Sequence, residues 1–173
     1  MKFQNLPKLI QGGNYSVNVS WRYLEEHLSS LINPKSVDIA ALDIDPLFQR
    51  GHVWTKEQQI KYVEFKLAGG CGSNVVLFNC PGWMNSFKGP FVLVDGKQRL
   101  EAVRSFMDNK ITAFGYYYKD FTDPLRLDAD FIFQVNDLQS TNDVLKWYLQ
   151  LNSYGTPHTE DELNKVRDMM TEK

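Results

Sequence analysis

Hydrophobic and polar positions along the chain change period several times, and each change marks an element. Trp21, Leu24, Leu28, Leu31 and Ile32 recur at helical spacing behind Ser20, which predicts a helix that Ser20 caps and Asn33-Pro34 ends. An extended segment over residues 40–45 leads into Pro46. Thr55-Lys56-Glu57-Gln58 then has capping-box form, and Ile60, Val63 and Leu67 share one face of a second helix stopped by Gly69-Gly70. Residues 75–78 and 91–94 are unbroken apolar runs, as buried strands require, and residues 79–90 between them, rich in Gly and Pro, predict a long surface hairpin. Leu100, Val103 and Phe106/Met107 carry a third helix directly out of the turn at Asp95-Gly96. Residues 112–118 are aromatic and strand-like, and residues 131–135 predict another strand. Two helices follow, over 142–151 with Val144, Leu145, Tyr148 and Leu149 inward, and over 160–170 behind a Thr159/Glu162 capping box. Residues 1–19, broken by Pro7, Gly12 and Gly13, read as an arm ahead of a single domain over 20–173.

Composition changes this picture in one respect. A chain of 173 residues with 43% hydrophobic content, 11 Phe, 8 Tyr and 4 Trp buries a sizeable core, but its net charge is −2. Residues 120–143 set six acids against one base, Arg126, a flank that repels a phosphate backbone. Weak or no DNA binding by the chain alone is expected, with any contact local to Arg50, Lys97, Arg99 and Arg104 or delegated to a partner. Cys71 and Cys80 fit no zinc spacing, and neither a leader nor a long apolar run is visible. The expectation is a cytoplasmic protein with reduced thiols and no membrane association.

The chemistry concentrates at Asp95-Gly96-Lys97-Gln98-Arg99, where a strand stops and a helix starts. Free backbone N–H groups and the helix dipole favour an anion there, and Lys97, Arg99 and Arg104 add positive charge. The same residues also suit an ordinary turn in which Asp95 caps the helix and the cations are solvated. Arg50 offers a planar fork for phosphate or carboxylate, or else an ion pair with Asp43 or Asp45. Trp54 reads as a core anchor and His27 as structural. The loop over 69–74 lacks a Walker ending and precedes a strand, so it reads as a connection. Trp83, Met84 and Phe87 either meet a partner or pack back on the domain.

Asp95-Gly96-Lys97-Gln98-Arg99 resembles the Asp-Gly-Gln-Gln-Arg signature of the N-terminal domain of GmrSD-type restriction endonucleases, in the ParB/sulfiredoxin-like superfamily. Three further segments resemble that family in order. They are Asp45-Pro46-Leu47-Phe48-Gln49-Arg50-Gly51-His52-Val53-Trp54, then Lys66-Leu67-Ala68-Gly69-Gly70 with the strand after it, then the stretch from Tyr148 through Asn152, Gly155-Thr156-Pro157 and Glu160. Lys97 replaces the usual Gln, and His158 stands where an apolar residue is common. Lys97 and Gln98 also occupy the turn where a sulfiredoxin activity needs a cysteine.

The resemblance implies an α+β, ParB/sulfiredoxin-like fold, a small mixed sheet packed with several helices. It also implies nucleoside triphosphate binding or hydrolysis with Mg2+, coupled in such DNA-restriction and phage-defence systems to cleavage of modified or foreign DNA. Gln49, Arg50, Gly96, Lys97 and Arg99 are then expected to bind the nucleotide, Asp95 to hold the metal, and Asp95 with Gln98 to serve catalysis. The family's large members continue into an HNH-type nuclease domain that this sequence lacks, so a second protein such as a nuclease is the expected partner. The competing expectations are a non-enzymatic interaction or decoy protein and, from the wider superfamily, a metal-dependent DNA nuclease.

Overall fold

β-Branched and aromatic residues build five strands: β1 (Tyr15–Ser20), β2 (Ile39–Asp43), β3 (Val75–Asn79), β4 (Gly89–Asp95) and β5 (Asp130–Asn136). They pair in the order β1-β5-β3-β4-β2. The β1/β5 and β3/β4 pairs are antiparallel, whereas β5/β3 and β4/β2 are parallel, so the sheet is mixed. The helices are α1 (Leu24–Ile32), α2 (Lys56–Leu67), α3 (Lys97–Met107), α4 (Thr141–Ser153) and α5 (Glu160–Thr171). This computed structural model describes the chain except residues 1, 3, 4, 7, 33–38, 52, 86–88, 154–159 and 172–173. His52, Phe87, His158, the Asn33-Pro34 stop and the Thr159 cap therefore lie outside the described residues.

Alternation along each strand divides the interior in two. Phe78, Phe91, Leu93, Phe131 and Phe133 point to the face covered by α1, α2 and α3, where Trp21, Val63, Leu100 and Phe106 complete the larger core. Leu77 and Val94 point the other way, against Val144, Leu145, Trp147 and Tyr148 of α4 and Val166 of α5. The result is an α+β domain of three layers. No helix among the described residues is long and apolar enough to cross a membrane.

The N-terminal reading needs correction. Tyr15–Ser20 is not part of an arm but the edge strand β1, with Val19 buried. Residues ahead of it are also docked: the Ile10 N–H donates to Gln150 Oε1 at 3.1 Å, and Asn136 Nδ2 donates to the Gln11 carbonyl. Gly13 runs so close to β5 that an added Cβ would stand 2.4 Å from the Val135 nitrogen. The alternation Tyr15, Val17, Val19 was the missed signal, because the glycines before it read as breakers.

Two smaller differences have local causes. Ser20 does not cap α1, since a 3-10 turn (Trp21–Tyr23) intervenes and the Ser20 side chain makes no cap hydrogen bond. Residues 112–118 are not a strand. Phe114 and Gly115 both have positive φ and close a tight turn in which Ala113 and Tyr116 exchange backbone hydrogen bonds. The Thr55/Gln58 capping box forms as its sequence predicts. Trp83 packs back onto Tyr15 and Phe91, with ring centroids 5.4 and 5.5 Å away, while Met84 is exposed.

His27 lies edge-on to Phe133, and burial lowers its pKa below the ordinary histidine value. The folded state therefore prefers the neutral ring. Its contribution is present above about pH 6.5 and is lost as pH falls through the lower folded value. The urea midpoint at pH 5 should fall below that at pH 7.5, and His27→Phe should narrow the gap. An undiminished gap in the variant places the loss on other groups.

Candidate functional site

Strand β4 ends at Asp95, and Gly96 turns the chain into α3 in one residue. Its φ of +103° is a left-handed value that disfavours side chains, and an added Cβ would also press on Val76 at 3.1 Å. Gly96, not Asp95, is the N-cap, and no side chain caps this helix. The first helical bond runs from the Leu100 N–H to the Gly96 carbonyl at 2.9 Å. The N–H groups of Lys97, Gln98 and Arg99 thus have no intrahelical acceptor.

That helix start floors a cavity of about 270 Å³, a little under the roughly 300–1,000 Å³ common for small-molecule sites. Gln49, Arg50, Asp95, Gly96, Lys97, Gln98 and Arg99 all line it. These residues are therefore in one place, although Arg50 and Arg99 stand far apart in the chain, whereas Arg104 lies outside the cavity and pairs with Glu25 at 2.7 Å. Sequence reasoning missed Asn152 and Tyr148 as wall residues. They lie one helical turn apart on α4, where Asn152 Nδ2 donates to the Tyr148 carbonyl at 2.7 Å. Tyr148 read as an inward apolar position and as the start of a family-like segment, with no site role, and its hydroxyl end was the available signal. Trp54 packs on Tyr62 with centroids 5.4 Å apart and also lines the cavity.

The polar groups around the cavity divide into braces and donors. Gln49 Nε2 donates to the Leu93 carbonyl at 2.6 Å, fixing the 46–50 turn against β4. Gln98 Oε1 accepts from the N–H groups of Val53 and Trp54 at 2.9 and 3.1 Å, and its Nε2 donates to the Gly51 carbonyl. Both ends of that amide hold the 51–54 loop. In this conformation Gln98, expected from sequence to orient a water, braces the 51–54 backbone. Lys97 is buried, and its ammonium bonds the Asp45 carboxylate and the Arg50 carbonyl. Arg99 donates to the Val75 carbonyl at 2.9 Å and to Asp95 at 2.6 Å.

Charge pairing then isolates one group. Asp45 balances Lys97 and Asp95 balances Arg99, so the ion pair proposed for Arg50 with Asp45 is taken by Lys97 instead. Among the described residues, no carboxylate pairs with the Arg50 guanidinium. Burial pushes the Tyr148 phenol up to about 12, an effect opposed by the Arg50 charge and by a hydrogen bond from the Arg50 backbone. Tyr148 is thus a neutral hydroxyl at physiological pH. Phe48 packs edge-on against it, centroids 5.1 Å apart, which ties the 46–50 turn to α4.

One uncompensated guanidinium, a helix N-terminus and a phenol suit an anion such as a phosphate. No group of three His, Cys, Asp or Glu suited to a metal occurs among the described residues. Among the described residues, Asp95, about two-fifths exposed, is the one carboxylate that lines the cavity. Mg2+ commonly takes one or two carboxylates together with substrate phosphates, so Asp95 suits such a cation only alongside a phosphate-bearing ligand. Comparison of the chain with protein-family models, with curated proteins and with solved structures returns no match.

Proposed function

We propose that this cavity binds the phosphate chain of a nucleoside triphosphate, and that the chain is a ParB/sulfiredoxin-like module of a GmrSD-type restriction system acting in the cytoplasm with a second protein. One observation carries the reading. Three segments that resemble the family separately, at 45–54, 95–99 and 148–152, converge on one cavity, and its wall holds an arginine, Arg50, with no carboxylate partner among the described residues. In this reading Arg50 and the first-turn N–H groups of α3 hold phosphate oxygens. Asp95 would share Mg2+ with them, and the metal would neutralise phosphate charge. Lys97 and Gln98 keep the 45–54 segment closed over the site.

A specific observation also favours a second reading, nucleotide-responsive binding without turnover. Gln98, the residue expected beside an attacking water, is engaged at both ends by the 51–54 backbone. A module of this kind would regulate or decoy its partner without hydrolysing the ligand. Metal-dependent DNA cleavage is supported less, because one carboxylate already paired to Arg99 is a thin metal site.

Calorimetric titration with each of four ribonucleoside triphosphates, with and without Mg2+, tests the proposal. Saturable binding stronger than that of inorganic phosphate is expected for at least one, and absence of binding by all four rejects it. Phosphate release in the same samples separates hydrolysis from binding alone. The net acidic chain should neither hold duplex DNA at physiological salt nor cut it. Metal-dependent cleavage that vanishes in Asp95→Ala would move the nuclease reading to first place.

A further inference from the structure

We propose that a second, aromatic-walled groove beside the ends of α2 and α3 receives an arginine or lysine side chain carried between apolar neighbours on a segment of a partner protein. This groove is separate from the phosphate cavity and shares no lining residue with it.

The first observation is the wall. Five aromatics crowd residues 114–121, and Phe114, Tyr118 and Phe121 line a hollow of about 190 Å³ floored by buried Phe106. Phe106 meets Tyr118 and Phe121 in T-shaped contacts at 5.6 and 6.1 Å. Phe114 and Phe121 are 53% and 40% exposed, and Tyr116 beside them is 60% exposed. A run of large rings left in water marks an interaction surface. Phe114 is also held at φ +53°, a conformation bulky residues rarely adopt and one that clusters at binding sites.

The second observation is charge. Asp123 stands at the mouth, and among the described residues it has no hydrogen-bond or ion-pair partner. The neighbouring Arg126 is already held by Asp128, with Nε donating at 2.9 Å. The end of α2 beside the hollow is already occupied, since the Lys66 ammonium donates to the Gly70 and Gly72 carbonyls. Exposed aromatic rings and a carboxylate without a partner among the described residues together suit a cation. The patch already holds one of the chain's own, since the Lys119 ammonium lies 5.8 Å from the Tyr117 ring centroid.

The third observation is shape. A further hollow of about 130 Å³ adjoins the first through Leu67, Leu125 and Arg126, so the groove is elongated. Apolar Leu67 and Leu125 sit midway along it. An extended peptide with a basic residue flanked by aliphatic ones fits that order better than a compact molecule does. This proposal does not depend on the nucleotide reading.

The test uses the immobilised full chain and four pools of short peptides of the form X-Leu-Z-Leu-X. Z is fixed as Arg, Lys, Gln or Glu, and X is drawn from Ala, Ser and Gly. The Arg and Lys pools should be retained at least about threefold over the Gln and Glu pools, with the margin shrinking as salt rises from about 0.05 to 0.5 M. The double variant Phe121→Ser/Asp123→Asn changes exposed side chains and should erase the preference while leaving the melting temperature near that of the parent. Equal retention of the four pools, preference for Glu, or a preference that survives in the double variant overturns the proposal.

Discussion

Val94→Asp should yield a protein with no cooperative unfolding transition. Val94 is fully buried on β4, a strand hydrogen-bonded on both sides, by β3 and β2. Val94 belongs to the apolar cluster of Leu77, Val144, Leu145, Trp147, Tyr148 and Val166, none of them charged, and it borders the cavity wall near Arg50 while itself fully buried. Burying an unpaired carboxylate costs several kcal/mol even after relaxation, and lost packing adds about 1–3 kcal/mol. A domain of this size has roughly 5–15 kcal/mol in total, so the substitution removes most or all of it. Neutral truncation in Val94→Ala should cost far less and remain cooperative. Circular dichroism during a urea titration decides the matter. A soluble Val94→Asp protein with a sharp transition near that of the parent would show that Val94 does not face the α4–α5 layer.

Much of this fold was legible because burial writes itself into period. The apolar run 91–94 announced an interior strand, and the Thr55/Gln58 box announced where α2 begins. What was illegible depends on distant partners. The tight turn at Phe114-Gly115 looked like strand because aromatic content signals β structure, yet the Phe114 N–H is held by Glu64 on α2. Membership of the cavity was legible from the resemblance, since Gln49, Arg50 and residues 95–99 do converge. The roles inside it were not. Sequence spacing says nothing of whether Lys97 meets a ligand or Asp45, or whether the Gln98 amide faces a water or the 51–54 backbone. Pairing across the chain decides those questions, and it leaves Arg50 as the cation without a carboxylate partner among the described residues.

That pairing makes the two arginines fail differently. Arg99→Ala removes donors to the Val75 carbonyl and to Asp95 and leaves both acceptors behind. A hydrogen bond to a charged group contributes roughly 1.5–3 kcal/mol, and for a chain this long each kcal/mol shifts the melting temperature by about 2–4 °C. Arg99→Ala should therefore melt about 3–12 °C lower, before any ligand is added. Arg50→Ala breaks no side-chain ion pair among the described residues and should melt within about 2 °C of the parent, inside the small range common for substitutions away from such features. Its effect should appear in binding. Losing one charge-assisted contact to a phosphate lowers triphosphate affinity by about 10- to 100-fold. Arg50→Lys keeps the charge but not the planar fork, so it should recover part of that loss. Differential scanning fluorimetry and calorimetric titration on the three variants separate the outcomes. Undiminished nucleotide binding by Arg50→Ala would remove Arg50 from the site. An unchanged melting temperature in Arg99→Ala would mean that its bonds to β3 and Asp95 do not hold the turn together.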